Sequence, residues 1–285
     1  MQRRQLFSLA SAGLVTWWLS PTQSPAQSQS QSHPQRVVAL TTLSADLILR
    51  LAPSTLVGIP RGRLLDQDPR FARIPRLGLG NAPNIEQIVA LKPDWVVGAA
   101  GFHTNLAERL KGLGIPSYLT QVNSWENLGT TIRTLGSTLK GDPQLLLDSY
   151  AQALPPSQPP SRLTTLLLVG TQPLLSPNQD SWAGDLLQRC GAENVTATLQ
   201  SQGQFRGYVT LSPEKVLEIN PEVLLLVNPE NPDPQSYFQE RPFWRQLRAV
   251  QNQRVHVFDY YGLVNPGSWE KIITATAQLR QIFFT

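Results

Sequence analysis

The sequence predicts an α/β fold with two lobes, each a mainly parallel sheet flanked by helices. Short apolar runs such as 36–40 and 163–170 alternate with amphipathic helical patterns from residue 36 onward. One helix-turn-strand unit also occurs twice, as NIEQIVALKPDWVV (84–97) and SPEKVLEINPEVLL (212–225). We therefore expect one copy of the unit in each lobe, a connector helix between the lobes, and a ligand cleft between them.

The two copies of the unit align residue for residue. Glu86 aligns with Glu214, and the offset of 214 − 86 = 128 positions also brings Pro93 onto Pro221. Each glutamate stands at the second position of a predicted helix, where the helix dipole favours a carboxylate by about 0.3–1 kcal/mol. Taken alone, the repetition fits either duplicated capping chemistry or a pair of catalytic acids.

The N-terminal lobe is expected at 36–140. Its first strand leads into a helix that Ser44 could cap, and Asn84 is expected to cap the helix of the repeated unit. Residues 60–83 are rich in Arg, Pro and Gly and are expected to form a long loop. Further strands are predicted at 55–59, 95–98 and 115–120, with helices at 104–114 and 124–139.

The remaining segments complete the domain plan. Residues 141–162 are expected to hold a connector helix, capped by Asp142, and a proline-rich spacer. The C-terminal lobe follows at 163–285, and the polar, low-complexity stretch 27–35 is expected to be a disordered tether.

Residues 1–26 have the layout of a signal peptide, with a basic start and a small-residue exit. The apolar run between them is shorter than the roughly 20 residues of a membrane-spanning helix. The pair Arg3-Arg4 suits a twin-arginine export signal as well as an ordinary one. No cysteine stands directly after the apolar run, where a lipoprotein would carry its lipid. We therefore expect an exported periplasmic protein without a lipid anchor.

Composition argues against several function classes. The formal net charge of +4, with aromatic residues that are not interleaved with basic runs, does not indicate nucleic-acid binding. The sequence has no phosphate-binding loop, nucleophile elbow or complete dinucleotide fingerprint. Three histidines, one of them in the tether, and a single cysteine are too few for a directly bound metal ion. We therefore expect no catalytic residues, no metal site and no cofactor.

Three stretches carry a family resemblance, namely RVVALTTLSADLILRLAPSTLVGI, APNIEQIVALKPDWVVGA and WAGDLLQRCGAENV followed by YVTLSPEKVLEINPEVLLLV. They resemble the periplasmic substrate-binding proteins that serve ABC importers of iron-siderophores, haem and cobalamin, over essentially all of 36–285. The resemblance implies a monomer with two lobes that holds a small-molecule metal chelate in a shallow cleft and docks on an ABC permease dimer at the inner membrane. It also implies that Glu86 and Glu214 are the docking carboxylates, one on each lobe.

Loops that follow strand ends should face the cleft. Arg61, Arg63 and Arg206 suit an anionic ferric chelate because guanidinium groups pair with oxygen anions, although each also fits a solvated loop charge. Tyr260 and Tyr261 suit iron ligation, stacking on a chelate or simple packing. The predicted ligand-binding residues are Thr42, Arg61, Arg63, His103, Arg206, Tyr208, Tyr260 and Tyr261.

A ferric siderophore is the first expected ligand, followed by cobalamin and haem. Tyr208 matches an aromatic residue that the cobalamin-binding members place against their ligand, but the equivalent position in the first lobe is Gly80. Two further departures from the family are the short connector helix and Ser268, which stands where members often carry an arginine. An exported α/β enzyme, or a scaffold without a transported ligand, is the alternative from another class.

Overall fold

The computed structural model describes residues 33–154, 162–170, 172–201, 206–227, 234–240 and 244–284. The predicted signal peptide (1–26), most of the predicted tether (27–35) and the core of the proline-rich spacer (155–161) lie outside these residues. From His33 onward the chain forms one compact unit, in which the described residues build two sheets.

The N-terminal sheet runs in the order β4-β3-β2-β1-β5-β6. Its strands are β1 (Val37–Ala39), β2 (Leu56–Arg61), β3 (Arg76–Leu79), β4 (Ala82–Pro83), β5 (Trp95–Ala99) and β6 (Ser117–Thr120). Neighbouring strands are parallel except β3 and β4, which form an antiparallel hairpin. The prediction of one long loop at 60–83 was wrong, because glycine and proline in this segment concealed two short strands at the sheet edge.

The C-terminal sheet has the path β10-β8-β7-β11-β12, with β9 paired to β7. Its strands are β7 (Thr164–Val169), β8 (Leu174–Pro177), β9 (Glu193–Asn194), β10 (Tyr208–Leu211), β11 (Val223–Val227) and β12 (Val255–Val257). The sheet is mixed, because β8 is antiparallel to both β7 and β10. The two-lobe α/β prediction is confirmed, while the segment before Asn178 holds β8 in addition to the expected loop.

Twelve helices flank the two sheets in the described part of the chain. They are α1 (Thr42–Leu51), α2 (Arg63–Asp66), α3 (Ile85–Ala90), α4 (Thr104–Gly112), α5 (Trp125–Leu139), α6 (Gln144–Ala153), α7 (Trp182–Arg189), α8 (Pro213–Ile219), α9 (Pro234–Gln239), α10 (Arg248–Gln251), α11 (Tyr260–Leu263) and α12 (Trp269–Phe283). The connector helix, predicted from Asp142, is α6.

Two predicted helix caps differ from the structure. Thr41, not Ser44, caps α1, and its side-chain oxygen accepts a hydrogen bond from the Ser44 N–H at 3.0 Å. Ser44 instead lies in the first turn of the helix, where it is buried. At the connector, Asp142 does accept from the Gln144 N–H at 2.9 Å, but the helix begins one residue later than predicted, after Pro143.

Strand alternation divides the apolar core into three layers. On β5, Val97 faces a large central cluster while its neighbour Val96 faces a smaller outer one. On β11, Leu225 faces the same central cluster and Leu224 the outer cluster of the other lobe. Because successive side chains of a strand point to opposite faces, the central layer is shared by both sheets and joins the lobes. Helices α1, α5, α7 and α12 contribute to it.

The single cysteine of the chain lies in this shared layer. Cys190 is fully buried at the end of α7, and its thiol is free. Burial in apolar surroundings raises the pKa of this thiol to about 12.

The repeated unit makes the same left-handed turn after its helix in both lobes. Lys92 and Asn220, equivalent at the offset of 128, both adopt a left-handed conformation with φ of 46° and 43°. In each copy a proline and then an acidic residue follow. Such a turn reverses the chain sharply after the helix, so that α3 leads directly into β5 and α8 into β11.

The acidic residue after each proline ties the unit to the first strand of its lobe. Asp94 accepts hydrogen bonds from the backbone N–H groups of Gln35 at 2.7 Å and Arg36 at 3.0 Å. Glu222 accepts from both the N–H and the hydroxyl of Thr164 at 3.0 Å. The same device therefore fixes the start of β1 and of β7.

Candidate ligand-binding and docking sites

A cavity of about 470 Å³ lies between segment 63–70, which follows β2, and segment 259–271, which follows β12. Both segments follow the carboxyl ends of parallel strands, the edge at which open α/β sheets bind ligands. The volume falls in the range of roughly 300–1,000 Å³ that is usual for small-molecule pockets. Its charged lining is balanced, with Arg63, Arg70 and Lys271 against Asp68, Asp259 and Glu270.

Asp259 organises the side of this cavity that the C-terminal lobe supplies. Its carboxylate accepts a hydrogen bond from Lys271 Nζ at 2.6 Å and from the Tyr261 N–H at 3.1 Å. Burial acts to raise the pKa of Asp259, but these two hydrogen bonds together with the charges of Lys271 and Arg63 hold the pKa below its usual value. Arg63 Nη2 lies 3.9 Å away and remains 60% exposed, so its guanidinium is only weakly engaged.

Three tyrosines that were predicted to bind the ligand lie together at this end of the C-terminal lobe. The rings of Tyr260 and Tyr261 pack edge to face, with centroids 5.4 Å apart. Burial raises the pKa of Tyr208, and the neighbouring Tyr260 raises it further. The pKa of Tyr261 is also raised, by burial first and then by Tyr260. At neutral pH, Tyr208 and Tyr261 are therefore neutral phenols that offer hydrogen-bond donors and apolar ring faces.

Three other predicted residues also lie at strand or loop ends. Thr42 is half-buried at the first position of α1, directly after the cap Thr41. Arg61 is exposed at the end of β2, next to the cavity segment but not among its lining residues. Arg206 is exposed in the turn before β10. Of the predicted ligand-binding residues, Arg63 and Tyr261 line the cavity, and these three do not.

His103 has a structural position that sequence reasoning did not foresee. Its ring is only 3% exposed, and Nδ1 accepts a hydrogen bond from the Ala99 N–H at 2.9 Å. The proton of the neutral ring therefore sits on Nε2, which donates to the Gly80 carbonyl oxygen at 2.6 Å. Because both ring nitrogens are engaged with backbone groups, the geometry assigns His103 to holding a loop together and leaves no ring nitrogen open to a ligand.

Sequence reasoning missed an ion network at the junction of the lobes. Asp46 is fully buried in α1 and accepts from the Trp269 N–H at 2.8 Å, which belongs to the start of α12. Its carboxylate also pairs with Arg50 at 3.0 Å and with Arg70 at 3.1 Å. Both arginines pair in addition with Glu270 on the cavity wall. The network ties the first helix of one lobe to the last helix of the other.

One part of this network left a signal in the sequence. Asp46 and Arg50 stand four residues apart, which is ion-pair spacing on a helix. Asp46 also occupies a position that the helical pattern of α1 assigns to the buried side, and a buried carboxylate needs partners. The partners from 68–70 and 269–270 lie far along the chain, so no local pattern could have named them.

The two proposed docking glutamates occupy equivalent positions. Glu86 is the second residue of α3, after the cap Asn84, and Glu214 is the second residue of α8, after the cap Ser212. Both side chains are exposed. A hydrogen bond with Ser212 lowers the pKa of Glu214. The predicted placement at two helix starts is confirmed, whereas the docking role remains a prediction.

Two features are absent from the described residues. In that part of the chain, no group of three or more His, Cys, Asp or Glu side chains is placed to hold a metal ion. None of its helices is both long enough and apolar enough to span a bilayer.

Comparison with known proteins identifies a family and relatives that this chain resembles. The family model described as periplasmic binding protein matches residues 37–141 and 147–261. The high-affinity heme uptake system protein IsdE of Staphylococcus aureus is 24% identical over 283 residues, which cover 93% of each chain.

Solved structures have the same fold. The periplasmic heme-binding protein HutB of Vibrio cholerae superposes with a TM-score of 0.72 and 19% identity, covering 87% of this chain and 98% of that one. The periplasmic vitamin B12-binding protein BtuF of the same organism gives 0.71 and 21%, covering 87% and 96%.

The family model covers well over half of the chain, in both lobes. Members of this family are ligand carriers that work with an ABC permease at the inner membrane; they are not enzymes and use no catalytic cofactor. This excludes the enzyme alternative. The chain belongs to the periplasmic binding protein family and is a substrate-binding protein of the ABC importer type.

Proposed function

We propose that this protein is a periplasmic carrier that delivers a ferric siderophore to an ABC importer. The observation that supports this most is the cavity between the carboxyl edges of the two sheets, because Arg63 and Tyr261 both line it. Arg63 is free to leave its long contact with Asp259 and pair with an oxygen anion of the ligand. Arg61, two residues before Arg63, and Arg206, two residues before Tyr208, are both exposed and are proposed to supply two further cations to an anionic chelate.

The tyrosines give the ligand a second kind of contact. The rings of Tyr208, Tyr260 and Tyr261 can pack against the organic part of a chelate, and their hydroxyl groups can hydrogen-bond to its oxygens. Thr42 adds a hydroxyl at the start of α1. His103 stays in the proposed set only as a support of the loop that it pins to Gly80.

Haem is the second candidate, and a specific observation favours it. The half-buried Tyr260 and Tyr261 pack against each other, and tyrosine is one of the side chains by which proteins hold a haem iron. The relative that is 24% identical over 93% of the chain is named as a heme uptake protein. Cobalamin is the third candidate, since Tyr208 is present but Gly80 offers no aromatic ring from the other lobe.

A parallel titration tests these assignments. The seven tryptophans provide an intrinsic signal, and the purified protein would be titrated with a ferric tris-catecholate, a ferric trishydroxamate, haemin and cyanocobalamin. We expect the tightest binding for a ferric chelate, and Arg63→Ala to weaken binding of the anionic chelate about tenfold while Arg189→Ala, on α7, leaves it unchanged. Tighter binding of haemin would select the second candidate, and no binding of any probe would end the transport proposal.

Delivery requires a surface for the permease. Glu86 and Glu214 are proposed to supply it, because each lobe then presents one exposed carboxylate at an equivalent helix start. Two fixed charges on separate lobes would orient the carrier on a basic permease surface. A monomer suits this arrangement, since each glutamate then meets one half of a permease dimer. Residues 1–26 are proposed as the export signal, which N-terminal sequencing of the mature protein would test.

A further inference from the structure

Two apolar side chains stand exposed at the carboxyl edge of the N-terminal sheet. Leu79, the last residue of β3, is 59% exposed, and Phe102, in the loop after β5, is 79% exposed. Single exposed apolar residues are common on protein surfaces. These two, however, share the edge at which ligands bind.

The loop that carries Phe102 is rigidly held. The Ala100 N–H donates to the Thr120 carbonyl oxygen at 2.9 Å, and the His103 N–H donates to that of Ala99 at 3.0 Å. Between them, the Gly101 N–H donates to the Thr104 hydroxyl oxygen at 3.2 Å. Phe102 is thus presented to solvent on a fixed backbone, which lowers the entropy lost when the ring makes a contact.

The β3–β4 turn reaches the same loop. His103 Nε2 donates to the Gly80 carbonyl oxygen at 2.6 Å, so the turn and the loop are joined. A Cβ atom at Gly80 would lie 3.3 Å from the carbonyl oxygen of Leu40 and 3.7 Å from Pro60 Cβ. The turn therefore lies across the ends of β1 and β2, and position 80 has little room for a side chain.

A cation stands beside this apolar pair. Arg61, at the end of β2, is the register partner of Leu79, at the end of β3. The N-terminal edge therefore combines one exposed guanidinium with two exposed apolar side chains. Such a surface suits a ligand that has a flat apolar face and an anionic rim.

We propose that Phe102 is the aromatic ligand contact of the N-terminal lobe, and that with Leu79 and Arg61 it selects metal chelates with an aryl or macrocyclic face and anionic oxygens at the rim. The proposal rests on the proposed function, to which it adds a residue that determines specificity. It places the aromatic contact on the loop after β5, where Phe102 is exposed and the His103–Gly80 hydrogen bond brings the loop against the β3–β4 turn.

The test compares ligands that have an aromatic face with one that lacks it. Wild type, Phe102→Ala, Phe102→Tyr and the control Leu113→Ala would be titrated with a ferric tris-catecholate, haemin and an aliphatic ferric trishydroxamate. Leu113 is as exposed as Leu79, at 59%, but follows α4 at the opposite edge of the sheet. Because the Phe102 ring is largely exposed, the melting temperature should be unchanged in every variant.

We expect Phe102→Ala to weaken binding of the tris-catecholate or haemin about tenfold, with Phe102→Tyr within threefold of wild type and Leu113→Ala unchanged. Binding of the trishydroxamate should not depend on the ring. If Phe102→Ala binds the tris-catecholate and haemin as tightly as wild type does, this inference is overturned and the proposed function stands. Lost uptake with unchanged affinity would also overturn it, by showing that the ring faces the permease. If wild type binds none of the probes, the proposed function fails first.

Discussion

The two lobes are alike where they would meet a partner and unlike where they would meet a ligand. Lys92 and Asn220 make the same left-handed turn, and Asp94 and Glu222 fasten the same strand position in each lobe. At the carboxyl edges the lobes differ, with Arg61 and Phe102 on one side and a group of tyrosines on the other. The proposed docking on both halves of a permease dimer would impose the same demand on both lobes, whereas an asymmetric ligand would impose two different ones.

The largest expected effect concerns Glu86 and Glu214, the two proposed docking groups. Replacing both Glu86 and Glu214 by alanine should abolish uptake of the bound ligand, because the carrier loses both charges that orient it on the permease. Ligand affinity, measured by fluorescence titration, should stay within twofold of wild type. Glu218→Ala is the matched control, since Glu218 is 70% exposed on the same helix as Glu214. Unchanged uptake by the double variant would mean that the repetition preserves only helix capping.

The junction between the lobes should be the most sensitive region for stability. Asp46→Ala removes a buried carboxylate that pairs with two arginines and leaves the Trp269 N–H without its acceptor, so the free energy of unfolding should fall by about 3–5 kcal/mol. Glu270→Gln, at the exposed end of the same network, should cost less than about 1 kcal/mol. Urea unfolding of both variants measures the two values. Similar small losses in both would show that the network does not join the lobes energetically.

The anchoring carboxylates test whether the repeated units are energetically equivalent. Asp94→Ala and Glu222→Ala should each lower the free energy of unfolding by about 1.5 kcal/mol, because each leaves backbone donors at the start of a strand unpaired. Losses that differ by more than twofold would show that only one copy of the unit still depends on this bond.

The Glu222 bond should also depend on pH in a defined direction. Backbone and side-chain hydrogen bonds from Thr164 hold the pKa of Glu222 below its ordinary 4.5. Its contribution is therefore complete above that value and is lost as the pH falls through the lower pKa of the folded state. Urea unfolding of wild type and Glu222→Ala at several pH values should show the two converging in acid.

The smallest expected difference between the two repeated units lies in their helix caps. Asn84 accepts two backbone hydrogen bonds, from Glu86 and Gln87, whereas Ser212 accepts one backbone bond, from Lys215. Replacing either by alanine should cost about 1 kcal/mol, with the larger loss at Asn84. Thermal unfolding followed by circular dichroism measures both, and a larger loss at Ser212 would contradict the ranking.

The sequence predicted features that arise from local pattern. Asn84 was expected to cap α3, and it does, because an amide oxygen at that position can reach the first-turn N–H groups wherever the helix lies. The paired helix starts and the α/β alternation are local in the same sense. The family model then confirmed the two-lobed carrier.

Features that depend on distant partners were not predictable in this way. His103 follows a strand end, as a ligand contact would, and only the folded chain places Gly80 against its ring. Asp46 and Trp269 are 223 positions apart, so their hydrogen bond leaves no mark in either local pattern. β3 and β4 were missed because edge strands rich in glycine and proline lack a strong apolar alternation.

The buried thiol of Cys190 makes the native protein its own probe of opening. Because burial raises its pKa to about 12 and the residue is fully buried, the thiol should not react with alkylating reagents at neutral pH while the lobes stay joined. Alkylation would then occur only in molecules whose central apolar layer is transiently open, and its rate would be set by the equilibrium population of that open state. Because the chain has no other cysteine, each alkylated molecule records one such opening. Slower alkylation in the presence of a chelate would measure the affinity of the chelate without an engineered cysteine.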